Sequence, residues 1–142
     1  ESPVRRIFNL RRAVHELQFP LQGGGSLALF NTHLSAFSRN DGTLEKQIGQ
    51  LGELADGAGE RWLLAGDLNE WRPNGGCLKE FARHFTLLDC GRSFHSQRPM
   101  GRLDRIIHGA PLEAVEFGVH HSPLASRASD HLPVWGVFRI PD

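Results

Sequence analysis

Four short polar segments, Asn31-Thr32-His33-Leu34, Gly66-Asp67-Leu68-Asn69-Glu70, Leu103-Asp104-Arg105-Ile106 and Ser129-Asp130-His131-Leu132-Pro133, each adjoin a run of apolar residues. A layered fold produces this pattern, because strand ends and their loops collect polar side chains into one pocket. The segments supply the carboxylates of Asp67, Asp104 and Asp130, the carboxamide of Asn69 and the imidazoles of His33 and His131. Hard oxygen donors suit magnesium or manganese, and two imidazoles can stabilise a phosphate or move a proton, an inventory expected of a hydrolase.

The runs between these segments have readable periods. Over 13–21, Ala13, Leu17, Phe19 and Leu21 fall on odd positions, the alternation of a half-buried strand. Gly23-Gly24-Gly25 breaks it, and Leu27, Leu29 and Phe30 mark a partner strand over 26–32, so the two form a hairpin with His33 just past its end. After the turn at Asn40-Asp41-Gly42, Leu44, Ile48, Leu51 and Leu54 recur at helical spacing, which predicts an amphipathic helix over about 42–56. Trp62-Leu63-Leu64-Ala65 fits a buried strand that delivers Asp67 and Asn69 to the loop beyond it. A short helix over 78–85 and strands over 103–108, 112–120 and 132–140 follow, with loops over 71–76 and 122–129. Roughly six strands and two helices give the class α/β, with layers of sheet and helix.

Bulk properties narrow the partners. The chain has 142 residues, one domain's length by the usual prior, and 39% hydrophobic residues, enough for a core. Its 16 basic and 16 acidic residues cancel, so no broad field draws in nucleic acid, and a duplex-coating protein is disfavoured. Cys77 and Cys90 make no disulfide framework and no zinc motif, so a reducing compartment, the cytoplasm, is expected. No apolar run is long enough to span a membrane, and the first residues lack a signal-peptide core.

Each polar residue has a plainer explanation to set beside the chemical one. Asp67 and Asn69 lie two apart, so in extended chain both side chains would reach one metal or one water; alternatively Asp67 caps the backbone ahead of it. Asp130 has the same capping alternative, and His131 could fill core or surface. Asp104 interrupts an apolar run, where an ionised carboxylate is costly unless paired, and a histidine partner is the economical answer. The adjacent pair His120-His121 points apart on a strand and reads as solvated. Both cysteines read as buried small hydrophobes, and Trp71 as a cover for the core in preference to a substrate contact.

Taken together and in this order, NTHL, GDLNEW, LDRI and SDHLP resemble the endonuclease/exonuclease/phosphatase superfamily, which includes DNase I-like nucleases, apurinic endonucleases, sphingomyelinases and inositol-phosphate phosphatases. The resemblance covers residues 13–140. It implies that His33 contacts phosphate or acts as an acid, and that Asp67 with Asn69 positions the attacking water beside the metal. It further implies that Asp104 orients the last histidine, that Asp130 is a metal-site carboxylate, and that His131 binds the scissile phosphate or acts as base. The implied activity is phosphoester hydrolysis dependent on Mg²⁺ or Mn²⁺, with nucleic acid, phospholipid or a small phosphodiester as substrate. The neutral charge and the absence of an aromatic ladder in the loops tilt the choice toward a small or lipid-like ester.

The family domain is roughly twice this long, and its first half carries a metal-binding Glu that neither Glu16 nor Glu45 replaces. Residues 1–142 are therefore expected to be the C-terminal half of the domain. The fold implied is half of a four-layer α/β/β/α sandwich, a mostly antiparallel sheet with helices on one face. A bare opposite face, supplied by Leu17, Phe19, Leu21 and the run from Leu132 to Phe138, predicts a homodimer through the sheet. The rival expectation is a catalytically incompetent half-domain, or a binding module on the same fold.

Overall fold

Alternating apolar positions on either side of three glycines form the first hairpin. In the computed structural model, which describes residues 4–7, 12–34, 43–59, 61–72, 78–79, 82–83 and 85–141, β2 (Arg12–Pro20) pairs antiparallel with β3 (Ser26–His33). Gly24 and Gly25, at φ 96° and 78°, take the left-handed conformations that reverse the chain. A four-residue strand, β1 (Val4–Ile7), adds to the outer side of β2.

Helix α1 (Thr43–Gly57) then carries the chain back, so β4 (Trp62–Asp67) runs parallel to β3. β5 (Thr86–Leu88) and β6 (Asp104–His108) complete a six-stranded sheet in the order β1-β2-β3-β4-β6-β5, with β6 antiparallel to both β4 and β5. At Gly66, opposite Thr32, a Cβ would collide with the Thr32 carbonyl oxygen, so β3 and β4 can meet here only because that residue is glycine.

The sheet has two differently dressed faces. On one, Val14, Ala28, Phe30, Trp62, Leu64 and Ile107 pack with Leu51 and Ala55 of α1 into the main core. Complete burial of such side chains contributes about 1.5–3 kcal/mol each. Leu54 also packs on this core, as its helical spacing predicts, whereas the side chains of Leu44 and Ile48 lie outside the described residues. On the second face, Leu63, Ala65, Leu88 and Ile106 meet a separate two-stranded layer, β7 (Glu113–Val119) with β8 (Val134–Arg139), through Ala114, Val119, Val134 and Phe138.

That ribbon changes the expected picture. Leu132 is buried and Val134 and Phe138 are half-buried, so they cover part of the second face instead of extending a bare one. Beyond the ribbon the face stays open, with Leu17 36% and Phe19 45% exposed. Nothing among the described residues singles out a second copy of the chain as the cover, so the expected homodimer has no structural support.

Other differences are local. The strands Val4–Ile7 and Thr86–Leu88 were not anticipated, and the loop expected over 122–129 contains a one-turn helix, α2 (Ala125–Ala128). Residues 78–79 and 82–83 are helical, while the rest of the helix expected over 78–85 is described only at Phe85; the turn expected at Asn40-Asp41-Gly42 and Cys77 lie outside the described residues. Among the described residues no helix is long and apolar enough to cross a membrane.

Candidate active site

Three strand ends meet in register on the second face. His33 of β3 lies opposite Asp67 of β4, and Asp67 lies opposite Asp104 of β6, so the three residues form one row across the sheet. Directly opposed residues share a face and stand one strand spacing apart, about 4.8 Å. His131 joins the row from the loop before β8, where Leu132 is buried and its N–H donates to the Ser93 carbonyl at 2.8 Å.

His131 Nδ1 lies 2.7 Å from Asp104 Oδ2, a hydrogen bond that answers the need of Asp104 for a histidine partner. The Ser93 hydroxyl donates to the same Oδ2 from a fully buried position. On its other side, His131 Nε2 stands 3.7 Å from Asp67 Oδ2, and His33 Nε2 approaches that oxygen to 3.5 Å. One carboxylate oxygen of Asp67 therefore faces two imidazoles.

The other oxygen is a cap. Asp67 Oδ1 accepts the Asn69 backbone N–H at 2.8 Å, so capping and site chemistry divide the same side chain between them. Asn69 does not continue the strand, because its φ of 51° is left-handed, and the extended spacing expected for the pair does not apply. Its side chain is buried, with Nδ2 donating to the Leu34 carbonyl at 2.8 Å, and it pins the end of β3 to the loop after β4. Asp130 is exposed, accepts from the Ser129 hydroxyl at 3.4 Å, and lies outside the group formed by Asp67, Asp104 and His131.

Electrostatics follow from this crowding. Burial raises the Asp67 carboxyl above its ordinary value, opposed by the Asn69 N–H, reinforced by the Asp104 charge and opposed again by the two histidines. Burial acts to lower His131, but the hydrogen bond and charge of Asp104, with the charges of Asp67 and Asp130, outweigh it and hold His131 above its ordinary value. Ligand atoms of Asp67, Asp104 and His131 all lie within 4.8 Å of one another, and two carboxylates with one imidazole form a donor set that fits a divalent ion. The site can thus hold a cation, accept a proton at Asp67 and donate one from a histidine.

Ser93 and Phe94 are the residues that sequence reasoning missed. A serine in a loop carries no periodic signal, and Phe94, whose ring centroid lies 4.8 Å from that of His131, belongs to no recognisable strand. Trp71 is not a core cover: it is 48% exposed and sits edge-on to Phe94 at 5.6 Å. His120 and His121 are exposed and Cys90 is buried, as expected.

Similar solved structures reproduce the fold at low identity. D. rerio TDP2 in complex with a single-strand DNA product superposes with a TM-score of 0.74 at 17% identity, covering 98% of this chain and 67% of that one. A mannosyl-6-phosphatase from Bacteroides thetaiotaomicron gives 0.72 at 18% identity, over 91% of this chain and 57% of that one. An endonuclease/exonuclease/phosphatase protein from Beutenbergia cavernae gives 0.67 at 23% identity, over 98% and 46%. The chain spans about half to two thirds of the length of these neighbours, and it has the architecture of half a four-layer sandwich. No curated protein matches it significantly. The family model for the endonuclease/exonuclease/phosphatase family matches residues 3–131, nearly the whole chain, and the chain belongs to that family.

Proposed function

We infer that this chain carries the phosphate-binding and proton-transfer side of a Mg²⁺- or Mn²⁺-dependent phosphoesterase, and that residues 1–142 are the C-terminal half of its domain. The observation that carries this reading is Asp67 Oδ2 standing between His33 and His131, with Asp104 behind His131. Membership of a family of nucleases and phosphatases supports the reaction class, as do a neighbour with a DNA product and another named for a sugar phosphate.

In this reading Asp67 and Asn69 orient the attacking water, Asn69 through Oδ1 because Nδ2 is held by Leu34. Asp67, raised by its burial, takes the water's proton as the new P–O bond forms. His131, kept charged by Asp104, and His33 donate to phosphoryl oxygens, and a histidinium protonates the leaving oxygen as the ester P–O bond breaks. A divalent ion held by Asp67 with Asp130 and Asn69 would polarise a phosphoryl oxygen, and His131, as an imidazolium, would stand outside its ligands. The balanced net charge favours a small or lipid-like ester over duplex nucleic acid.

The test is hydrolysis of bis(p-nitrophenyl) phosphate with Mg²⁺ or Mn²⁺, by this chain and by the chain extended through its upstream coding sequence. The extended protein should turn over and the chain alone should show little activity. Robust cleavage by the chain alone would overturn the half-domain assignment. No metal-dependent hydrolysis by either, against monoesters and diesters alike, would favour the incompetent or binding-module reading.

A further inference from the structure

Trp71 lies two residues past Asn69, at the end of the turn that begins at Asp67, yet it is 48% exposed. Its position is set by its chain neighbours and by two contacts on the ring. Arg72, next in the chain, is clamped on the buried Glu70 carboxylate by its backbone N–H at 2.9 Å, Nε at 2.8 Å and Nη2 at 2.6 Å. Phe94 meets the indole at an interplanar angle of 88°. A Cβ on Gly101 would lie 3.1 Å from Cζ3 and 3.4 Å from Cη2, so the outer edge of the indole rests against backbone. These contacts orient the ring while leaving about half of it in water.

Phe94 connects this surface to the chemistry. Its ring leans on the imidazole of His131 at 4.8 Å, so the exposed indole stands one ring away from the row of His33, Asp67 and Asp104. A rigid, half-wetted indole suits a planar partner, since stacking removes one whole face from water with little ordering cost. An acyl chain would need enclosure on several sides to lose its water, and the described residues around the exposed indole do not provide it.

We propose that Trp71 is a stacking subsite for one planar aromatic group, of the nucleobase type, on the phosphate ester that the site hydrolyses. This rests on the phosphoesterase reading and adds to it the chemical class of the group attached to the phosphate. Among the described residues the indole is a single stacking position with no ladder, which selects a mononucleotide-sized ester over a polynucleotide strand.

The probes are adenosine 5′-monophosphate and ribose 5-phosphate, which share phosphate and sugar and differ in the base. Their affinities are measured by calorimetry in whichever form of the protein hydrolyses bis(p-nitrophenyl) phosphate. The adenine compound should bind about tenfold more tightly. Trp71→Ala should reduce that preference to below about twofold and Trp71→Phe should keep most of it, with a cooperative unfolding transition in each variant as the control for folding. Equal affinity for both probes, no binding of either, or an unchanged preference in Trp71→Ala would overturn the subsite while the hydrolysis result stands. If neither form hydrolyses any ester, the phosphoesterase reading fails and the subsite with it.

Discussion

Nδ1 of His131 and Oδ2 of Asp104 meet at 2.7 Å between residues 27 positions apart, one on the main sheet and the other on the loop entering the ribbon. The contact directs Nε2 of the imidazole toward Asp67. Asp104→Asn preserves volume but removes the charge that supports an imidazolium, and turnover in the active protein should fall about a hundredfold or more. Steady-state kinetics with a phosphodiester and Mg²⁺ measure this, and a near-normal rate would remove Asp104 from the mechanism.

The elevated His131 couples stability to pH. A histidine whose folded pKa lies above its unfolded value of 6.5 contributes stability that is fully present below that value and lost as pH rises through the folded pKa. Denaturant unfolding of wild type and His131→Gln should therefore differ most near about pH 5.5, with the gap closing above neutrality. A gap that widens with rising pH would contradict the assigned direction.

Asp67 uses its two oxygens differently, and two substitutions separate them. Asp67→Asn keeps an acceptor for the Asn69 N–H, so the fold should hold while turnover falls at least about a hundredfold. Asp67→Ala should match that loss and also cost about 1 kcal/mol of stability, because the capping bond goes as well. Equal thermal midpoints for the two variants would argue against the cap.

Gly66→Ala tests the approach of the central strands. A methyl group forced against the Thr32 carbonyl must push β3 away from β4, at a cost of about 3 kcal/mol or more. The same displacement would separate His33 from Asp67. A stable, active Gly66→Ala protein would show that the strands adjust more easily than their register suggests.

Metal binding should be visible without catalysis. A divalent ion that binds only the folded state raises the unfolding midpoint, by an amount equivalent to about 2.7 kcal/mol at a hundredfold excess over its dissociation constant. Mg²⁺ or Mn²⁺ should stabilise the active protein, EDTA should reverse the shift, and Asp67→Asn should abolish it. An identical midpoint with and without metal would count against the cation.

His33, Asp67 and Asp104 were legible because each ends or begins a run whose period fixes a strand, and strand ends are where side chains from distant sequence meet. The main helix and the hairpin were legible for the same reason, their periods being carried by several residues. Val4–Ile7 and Thr86–Leu88 were not, since three or four residues are too few to establish alternation. Asn69 was misjudged because nothing in Gly-Asp-Leu-Asn announces a left-handed residue, and extended spacing fails once φ is positive. Ser93 depends wholly on tertiary contact: its hydroxyl matters only because the fold brings it to Asp104, 11 residues away. The half-covered second face was misread because the last strands form their own layer instead of joining the main sheet.

Placing His33, Asp67 and Asp104 on adjacent strands in register makes the spacing of the reacting groups a property of the backbone ladder. Loops around the pocket can lengthen, shorten or change sequence without detuning it, because the hydrogen bonds between β3, β4 and β6 act as a ruler. Only a slip of register could alter the ruler, and a slip of one residue would turn a strand's core side chains outward, so the fold would be lost before the geometry drifted. Such a scaffold lets selection explore new substrates at the rim while the bond-breaking apparatus stays fixed.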